Sequence, residues 1–220
     1  MLFTKFQEVA LSISTQTDRI PYPAAKRALD RALAAALLVV LLPALAVVLL
    51  ATVADALLVP RDRGPLLYRE RRVSRGRTFE LLKFRTVRRD VPGEPRLAER
   101  DPANLTWAGR RILKPWYLDE LPQLFNVLRG DISFVGPRPW TPDLVERQIA
   151  EGDDYRLHVV AGLTGSAQVT KGTAGTSYRE RDLHYVEKCR TLGGCGLVRY
   201  DLGVLLRTVR VIARRQGLDY

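Results

Sequence analysis

The sequence predicts an α/β protein, mostly helical with one small irregular β-hairpin. It is expected to sit at a membrane through a re-entrant helix-break-helix and interfacial amphipathic helices. Three observations lead there. Residues 32–54, ALAAALLVVLLPALAVVLLATVA, are an almost unbroken apolar run with a proline near the middle. Residues 61–89 follow, with eleven Lys or Arg, three acids and a strand-turn-strand pattern. Near the C-terminus, VLLRTVRVIARR repeats arginines on one helical stripe and aliphatics on another. Topology beyond these elements does not follow from pattern.

The apolar run has 23 residues, enough to cross a bilayer as one helix. It is too long and starts too late for a signal peptide. Its flanks argue against a simple crossing. Lys26, Arg27 and Arg31 precede it, and Arg61, Arg63, Arg69, Arg71 and Arg72 follow it. Basic flanks stay cytoplasmic, so a single pass is basic on one side only. Pro43 lies near the midpoint, removes a backbone donor and bends a helix. Each half then spans about eleven residues, or roughly 16 Å. The expectation is a break at Pro43 with entry and exit on one face. A straight span with a kink is the second reading, and a buried soluble helix the third.

The basic segment reads as a hairpin: a strand at Leu66-Leu67-Tyr68, a turn at Ser74–Arg77, and a second strand from Thr78 to Phe84. Phe79, Leu81 and Lys83 alternate with Glu80, Leu82 and Phe84, so neither face is purely apolar. Such cations hold anionic lipid or substrate phosphates, for which the planar guanidinium is suited. Lys83 and Arg85, bracketing Phe84, are the candidates for chemistry. In the C-terminal repeat, Arg207, Arg210 and Arg214 oppose Leu205, Val209 and Ile212. That suits an interfacial helix or one packing its apolar stripe on the domain.

The chain has 220 residues and formal net charge +11, so one domain with an appendage and an anionic partner are expected. Nucleic acid is disfavoured, because no zinc-finger spacing or aromatic RNA-binding strand is present. Cys189 and Cys195 are too few for a disulfide framework and read as free thiols. With only His158 and His184, zinc is not expected. No repeat of fixed period occurs.

In this basic chain, Asp119 and Glu120 stand side by side in LDELPQLFNVLRGDISFVGPRPW, residues 118–140. Adjacent residues on a helix point about 100° apart, so a shared site needs a helix start or a bend. Pro122 suits the first turn of a helix, with Asp119 near its N-cap. Asp119 and Glu120 then read either as capping acids or as a nucleophile beside a metal ligand.

Gly64-Pro65, KFRT at 83–86, the block at 118–139 and GLTGSAQV at 162–169 together resemble the bacterial sugar transferases, from about Lys26 to Arg207. These are monotopic polyprenyl-phosphate phosphoglycosyl transferases, and the short chain resembles their minimal form. Ala161 and Ser166 stand where the family often has Pro and Trp, and Leu42 where Ser is frequent. The stretch after Val169 departs from the family pattern, and GGCG at 193–196 looks like an added flexible turn.

The resemblance implies transfer of sugar-1-phosphate from a UDP-sugar to a polyprenyl phosphate such as undecaprenyl phosphate, releasing UMP. It implies a covalent intermediate on Asp119, a need for Mg²⁺, and a place on the cytoplasmic face of the bacterial inner membrane. Glu120 is assigned to the metal or its positioning, with Asp131 as either a further ligand or a turn cap. Pro137, Arg138 and Pro139 form a stiff substrate loop. Gln123, Asn126 and Gln168 either touch substrate or face water. The expected division is a tail at 1–25, the membrane hairpin at 26–59 and a cytoplasmic catalytic domain at 60–220. Such an enzyme would start an exopolysaccharide, O-antigen, capsule or glycoprotein glycan. Anionic lipid is an expected partner, and a homo-oligomer is compatible. The competing readings are an inactive membrane-anchored basic scaffold and a membrane-tethered nucleic-acid binder.

Overall fold

The computed structural model describes residues 19–93, 95–169 and 177–213. Most of the tail, the segment at 170–176 and Arg214 lie outside the described residues. The described chain is mostly helical with two small two-stranded sheets, an α/β protein as expected.

Helix α1 (Ala24–Val40) and helix α2 (Leu42–Leu58) meet at a break, bent by 61°. Pro43 is the second residue of α2. There its missing N–H removes no helical bond and its fixed φ favours the first turn. Each helix has 17 residues rather than the expected eleven or so, because α1 starts before the apolar run at Ala24 and α2 continues past it to Leu58. No single described helix is long and apolar enough to cross a membrane.

Strands β1 (Leu67–Ser74) and β2 (Arg77–Phe84) form the hairpin. β1 runs six residues beyond the expected Tyr68. The connection is two residues, Arg75 (φ 51°) and Gly76 (φ 70°). Positive φ at both positions gives the backbone twist that suits a tight hairpin. A side chain at Gly76 would bring its Cβ within 3.1 Å of the Leu157 carbonyl oxygen.

The chain divides into two compact units, with the turn end of the hairpin in the first and its open end in the second. The first comprises residues up to Leu33, Arg71–Glu80 and the chain from Val127. Its second sheet pairs β3 (Ser133–Val135) in parallel with β4 (Gly162–Thr164), Ser133 opposite Gly162 and Val135 opposite Thr164. This sheet was not expected, and it lays GDISFVG beside GLTG. Glycine is required there: a Cβ on Gly162 would lie 2.1 Å from the Gly136 nitrogen.

Around it lie α5 (Pro142–Ala150), α6 (Ser166–Val169), α7 (Tyr178–Thr191) and α8 (Gly194–Ala213). Ser177 and Glu180 close a capping box at the start of α7. GGCG is not a flexible turn: Gly194 to Gly196 open α8, where glycine accommodates Pro23 and Ala25. α8 packs through Leu197, Asp201 and Val204, whereas Val209 and Ile212 of the expected stripe are exposed. A buried polar network ties α1 to this sheet. Lys26 Nζ pairs with Asp201 and donates to the Val135 carbonyl, and Asp30 accepts from Ser133 Oγ and the Phe134 N–H.

The second unit comprises Ala34–Glu70 and Leu81–Asn126. Val48 of α2, Phe84 and Leu113 form its buried cluster, with Leu45, Leu118 and Leu121 packed against it. Each such side chain contributes about 1.5–3 kcal/mol when fully buried. This cluster seats the Asp119 turn on α2 and β2. A short helix α3 (Pro95–Ala98) precedes the segment at 107–113, and α4 (Gln123–Arg129) follows the turn.

Candidate active site

Local devices build the turn that carries Asp119. A helical segment starts at Trp107 and Ala108, whose N–H groups donate to Asp62 Oδ2 (2.8 Å) and Asp55 Oδ2 (3.0 Å). These acids satisfy donors that a helix start leaves without partners. The segment widens to a π-helix at Gly109–Leu113, where Lys114 N–H donates to the Gly109 carbonyl at 3.0 Å. Such single-turn bulges displace the residues after them and recur at functional sites. Gly109 allows the close approach, since its Cβ would lie 2.6 Å from the Thr86 carbonyl oxygen. Tyr117 adopts φ 54°, a strained value for a bulky residue. A 3₁₀ turn, Leu118–Glu120, follows. The reversal places Asp119 against Lys114, five residues earlier.

Asp119 is therefore not an N-cap. α4 starts at Gln123 and has seven residues, so a helix terminus does not account for its environment. Lys114 Nζ lies 2.9 Å from Asp119 Oδ2 and 2.8 Å from Glu99 Oε2. Glu99 Oε1 accepts from Thr86 Oγ1 at 2.8 Å. Lys83 Nζ lies 3.6 Å from Glu120 Oε1. The adjacent acids thus differ: Asp119 is 2% exposed, whereas the Glu120 side chain is 35% exposed.

Burial raises the Asp119 pKa. Lys114 opposes this by charge and hydrogen bond, Glu120 adds to it, and Lys83 opposes it weakly; the net direction is upward. Burial lowers Lys114, but Asp119 and Glu99 more than compensate, so its pKa is raised and it stays charged. A desolvated carboxylate beside one ammonium is equipped to attack an electrophile once ionised.

Among the described residues, no three His, Cys, Asp or Glu side chains gather to hold a metal. Mg²⁺ commonly takes one or two carboxylates and completes its shell with water and substrate phosphate. The Asp119–Glu120 donor set fits that chemistry. Asp131 lies in the first unit, after Gly130 (φ 84°) and just before β3.

The other predicted residues fall into three groups. In the KFRT stretch, Lys83 meets Glu120, Phe84 enters the core and Thr86 holds Glu99. Arg85 instead braces the backbone, donating to the carbonyls of Pro65 (2.9 Å), Val87 (2.9 Å) and Asp62. Gln123 and Asn126 are both buried rather than facing water, and Asn126 Oδ1 accepts the Leu82 N–H at 3.0 Å.

The third group is the Pro137–Pro139 loop of the first unit. Pro137 and Pro139 are buried, and Arg138 is half-buried. Two buried arginines hold the loop backbone. Arg156 Nη1 donates to the Arg138 carbonyl at 2.6 Å, and Arg72 Nη1 to the Pro139 carbonyl at 3.0 Å. Arg156 also pairs with Asp182 at 2.7 Å and stacks 4.0 Å over the Trp140 ring.

Sequence reasoning missed Lys114, Glu99, Arg72, Arg156 and Asp182. Only Lys114 carried a usable signal, as a cation five residues before the acid pair.

The profile of the bacterial sugar transferase family matches residues 21–215. The undecaprenyl-phosphate galactose phosphotransferase of Salmonella typhimurium is 38% identical over 180 residues, covering 72% of this chain and 36% of that protein. The UDP-glucose:undecaprenyl-phosphate glucose-1-phosphate transferase of Caulobacter vibrioides is 40% identical over 203 residues, covering 87% and 70%. The UDP-galactose-lipid carrier transferase of Erwinia amylovora is 34% identical over 213 residues, covering 87% and 41%. The chain thus spans little more than a third of the length of the Salmonella relative.

Proposed function

Because this chain belongs to the bacterial sugar transferase family, we propose that it transfers sugar-1-phosphate from a UDP-sugar to undecaprenyl phosphate and releases UMP. The observation that carries this reading is the buried Asp119 carboxylate held 2.9 Å from Lys114. Both substrates are anions, so direct attack of one phosphate on the other meets charge repulsion, and a protein nucleophile divides the difficulty into two steps. Asp119 attacks the sugar-bearing phosphorus. The bond to the bridging oxygen breaks, and UMP leaves with the electron pair. An oxygen of the polyprenyl phosphate then attacks the same phosphorus and returns Asp119 as a carboxylate.

Lys114 offsets charge that develops as Asp119 attacks. Lys83 orients Glu120. Asp119 and Glu120 would hold a Mg²⁺ ion, which would supply charge neutralisation for the donor diphosphate. Arg138 binds donor phosphate or uridine from a loop stiffened by its flanking prolines. Asp131 is a further candidate metal ligand.

We place the enzyme at the cytoplasmic face of the inner membrane, with α1 and α2 re-entrant. The 61° break and the exposed Val40, Leu50, Leu57 and Leu58 support this placement. Leu206, Val209 and Ile212 of α8 are also exposed, beside Arg207 and Arg210, and suit a bilayer surface. The product would feed assembly of a bacterial surface glycan.

Purified protein incubated with Mg²⁺, undecaprenyl phosphate and a panel of UDP-sugars should release UMP with one donor. Release of UDP would mean ordinary glycosyl transfer and contradict the mechanism. No nucleotide from folded protein across a broad panel would favour an inactive scaffold.

A further inference from the structure

The hairpin turn lies within a cluster of arginines. Ile20 N–H donates to the His158 carbonyl and Arg75 N–H to the Val159 carbonyl, each at 3.1 Å. Successive carbonyls of one segment therefore anchor the backbone beside Arg19 and that of Arg75. Arg27 and Arg77 lie close enough to act on Arg75. Burial first, and then the like charges of Arg19, Arg77 and Arg27, lower its pKa. None of these four arginines pairs with a carboxylate among the described residues. The Nε atoms of Arg19 and Arg75 are buried and have no hydrogen-bond partner among the described residues.

Such an arrangement works against folding unless something answers it. Like charges repel, and a buried donor without an acceptor carries its full desolvation penalty. The backbone adds strain, because Arg75 takes φ 51° at a turn position that usually selects Asn, Asp or Gly. Orphaned donors and neighbouring cations share one remedy, an anion with several acceptor oxygens. Guanidinium forks match phosphate oxygens best.

We infer that Arg19, Arg27, Arg75 and Arg77 form an anion site that binds a phosphate group, carried wholly by the first unit and sharing no residue with the Asp119 turn. Free phosphate and the headgroup of an anionic phospholipid offer the same chemistry. The site does not depend on the proposed transferase activity.

The test is arginine labelling of the intact chain with phenylglyoxal, read residue by residue by mass spectrometry. Inorganic phosphate should slow labelling of Arg75 several-fold in detergent and leave Arg179, already held 2.6 Å from Asp153, unchanged. That outcome identifies a soluble phosphate. Protection in bilayers of phosphatidylglycerol, absent with inorganic phosphate and in phosphatidylcholine bilayers, identifies a lipid headgroup. The double variant Arg19→Gln/Arg27→Gln should lose whichever protection is seen. Equal protection in both bilayers, no protection by either anion, or protection that survives the double variant would overturn the inference.

Discussion

Replacing Lys114 with Met keeps the length of the side chain and removes its ammonium. The expected consequence is a specific change in pH dependence. Asp119 must be ionised to attack, so kcat/KM rises with pH through the Asp119 pKa and its acid limb reports that pKa. Burial holds the pKa above the ordinary carboxylate value, and Lys114 is the strongest influence pulling it down. The pair is 2.9 Å apart, with Asp119 2% and Lys114 30% exposed at the side chain. Two unit charges at about 4 Å interact by roughly 4 kcal/mol at an effective dielectric of 20. Water reaching the vacated space returns part of that, leaving about 2–3 kcal/mol. The acid limb of UMP release in Lys114→Met should therefore move to higher pH, with activity partly recovered at high pH. An acid limb that stays in place while the rate falls uniformly would refute the claim that Lys114 sets the ionisation of Asp119.

Other expectations follow from the same contacts. Glu99→Gln removes a carboxylate that shares Lys114, so Asp119 should ionise more readily and the acid limb should move to lower pH; an upward shift contradicts the shared-ammonium geometry. Asp119→Asn should abolish turnover without loss of stability at neutral pH. A carboxyl whose folded pKa is raised favours the fold at low pH and loses that contribution as pH rises through the folded value, so thermal melts of the two proteins against pH should converge in acid. Arg138→Ala and Arg156→Lys should both raise the KM for the donor, by about tenfold for the loss of one or two charge-assisted bonds, and unchanged donor kinetics would remove the clamp. Cysteines placed either side of Pro43, at Ala24 and Val59, should label from the cytoplasmic face alone; periplasmic labelling of one would mean a straight span.

Much of this was legible in the chain because it is local. A proline inside an apolar run marks a helix break wherever it folds. A two-residue turn with glycine marks a hairpin, although β1 ran longer than its mixed polar pattern implied. The acid pair stood out by charge alone. What sequence hid depends on backbone irregularity and distant pairing. The π-helical stretch before Lys114 and the left-handed Tyr117 shift the register by which Asp119 finds its partner, and no periodicity announces either. Glu99 pairs with Lys114 through one oxygen and accepts from Thr86 with the other, a contact between three separate segments. Arg85 looked like a substrate cation because guanidinium suits phosphate equally well as it suits three carbonyls. Asn126 read as either touching substrate or facing water because its β2 partner is a backbone N–H, which leaves no trace in side-chain pattern. The β3–β4 pair involves two three-residue strands 26 residues apart, too short to show alternation.

The central claim is that Asp119 becomes phosphorylated by the sugar phosphate. The most direct measurement is intact mass and peptide mapping of the protein after brief exposure to Mg²⁺ and its UDP-sugar, with no polyprenyl phosphate present. The account predicts a mass gain equal to one sugar phosphate, located on Asp119, discharged by adding undecaprenyl phosphate and absent from Asp119→Asn. A protein that turns over both substrates yet never carries that mass, or carries it on another residue, would contradict it.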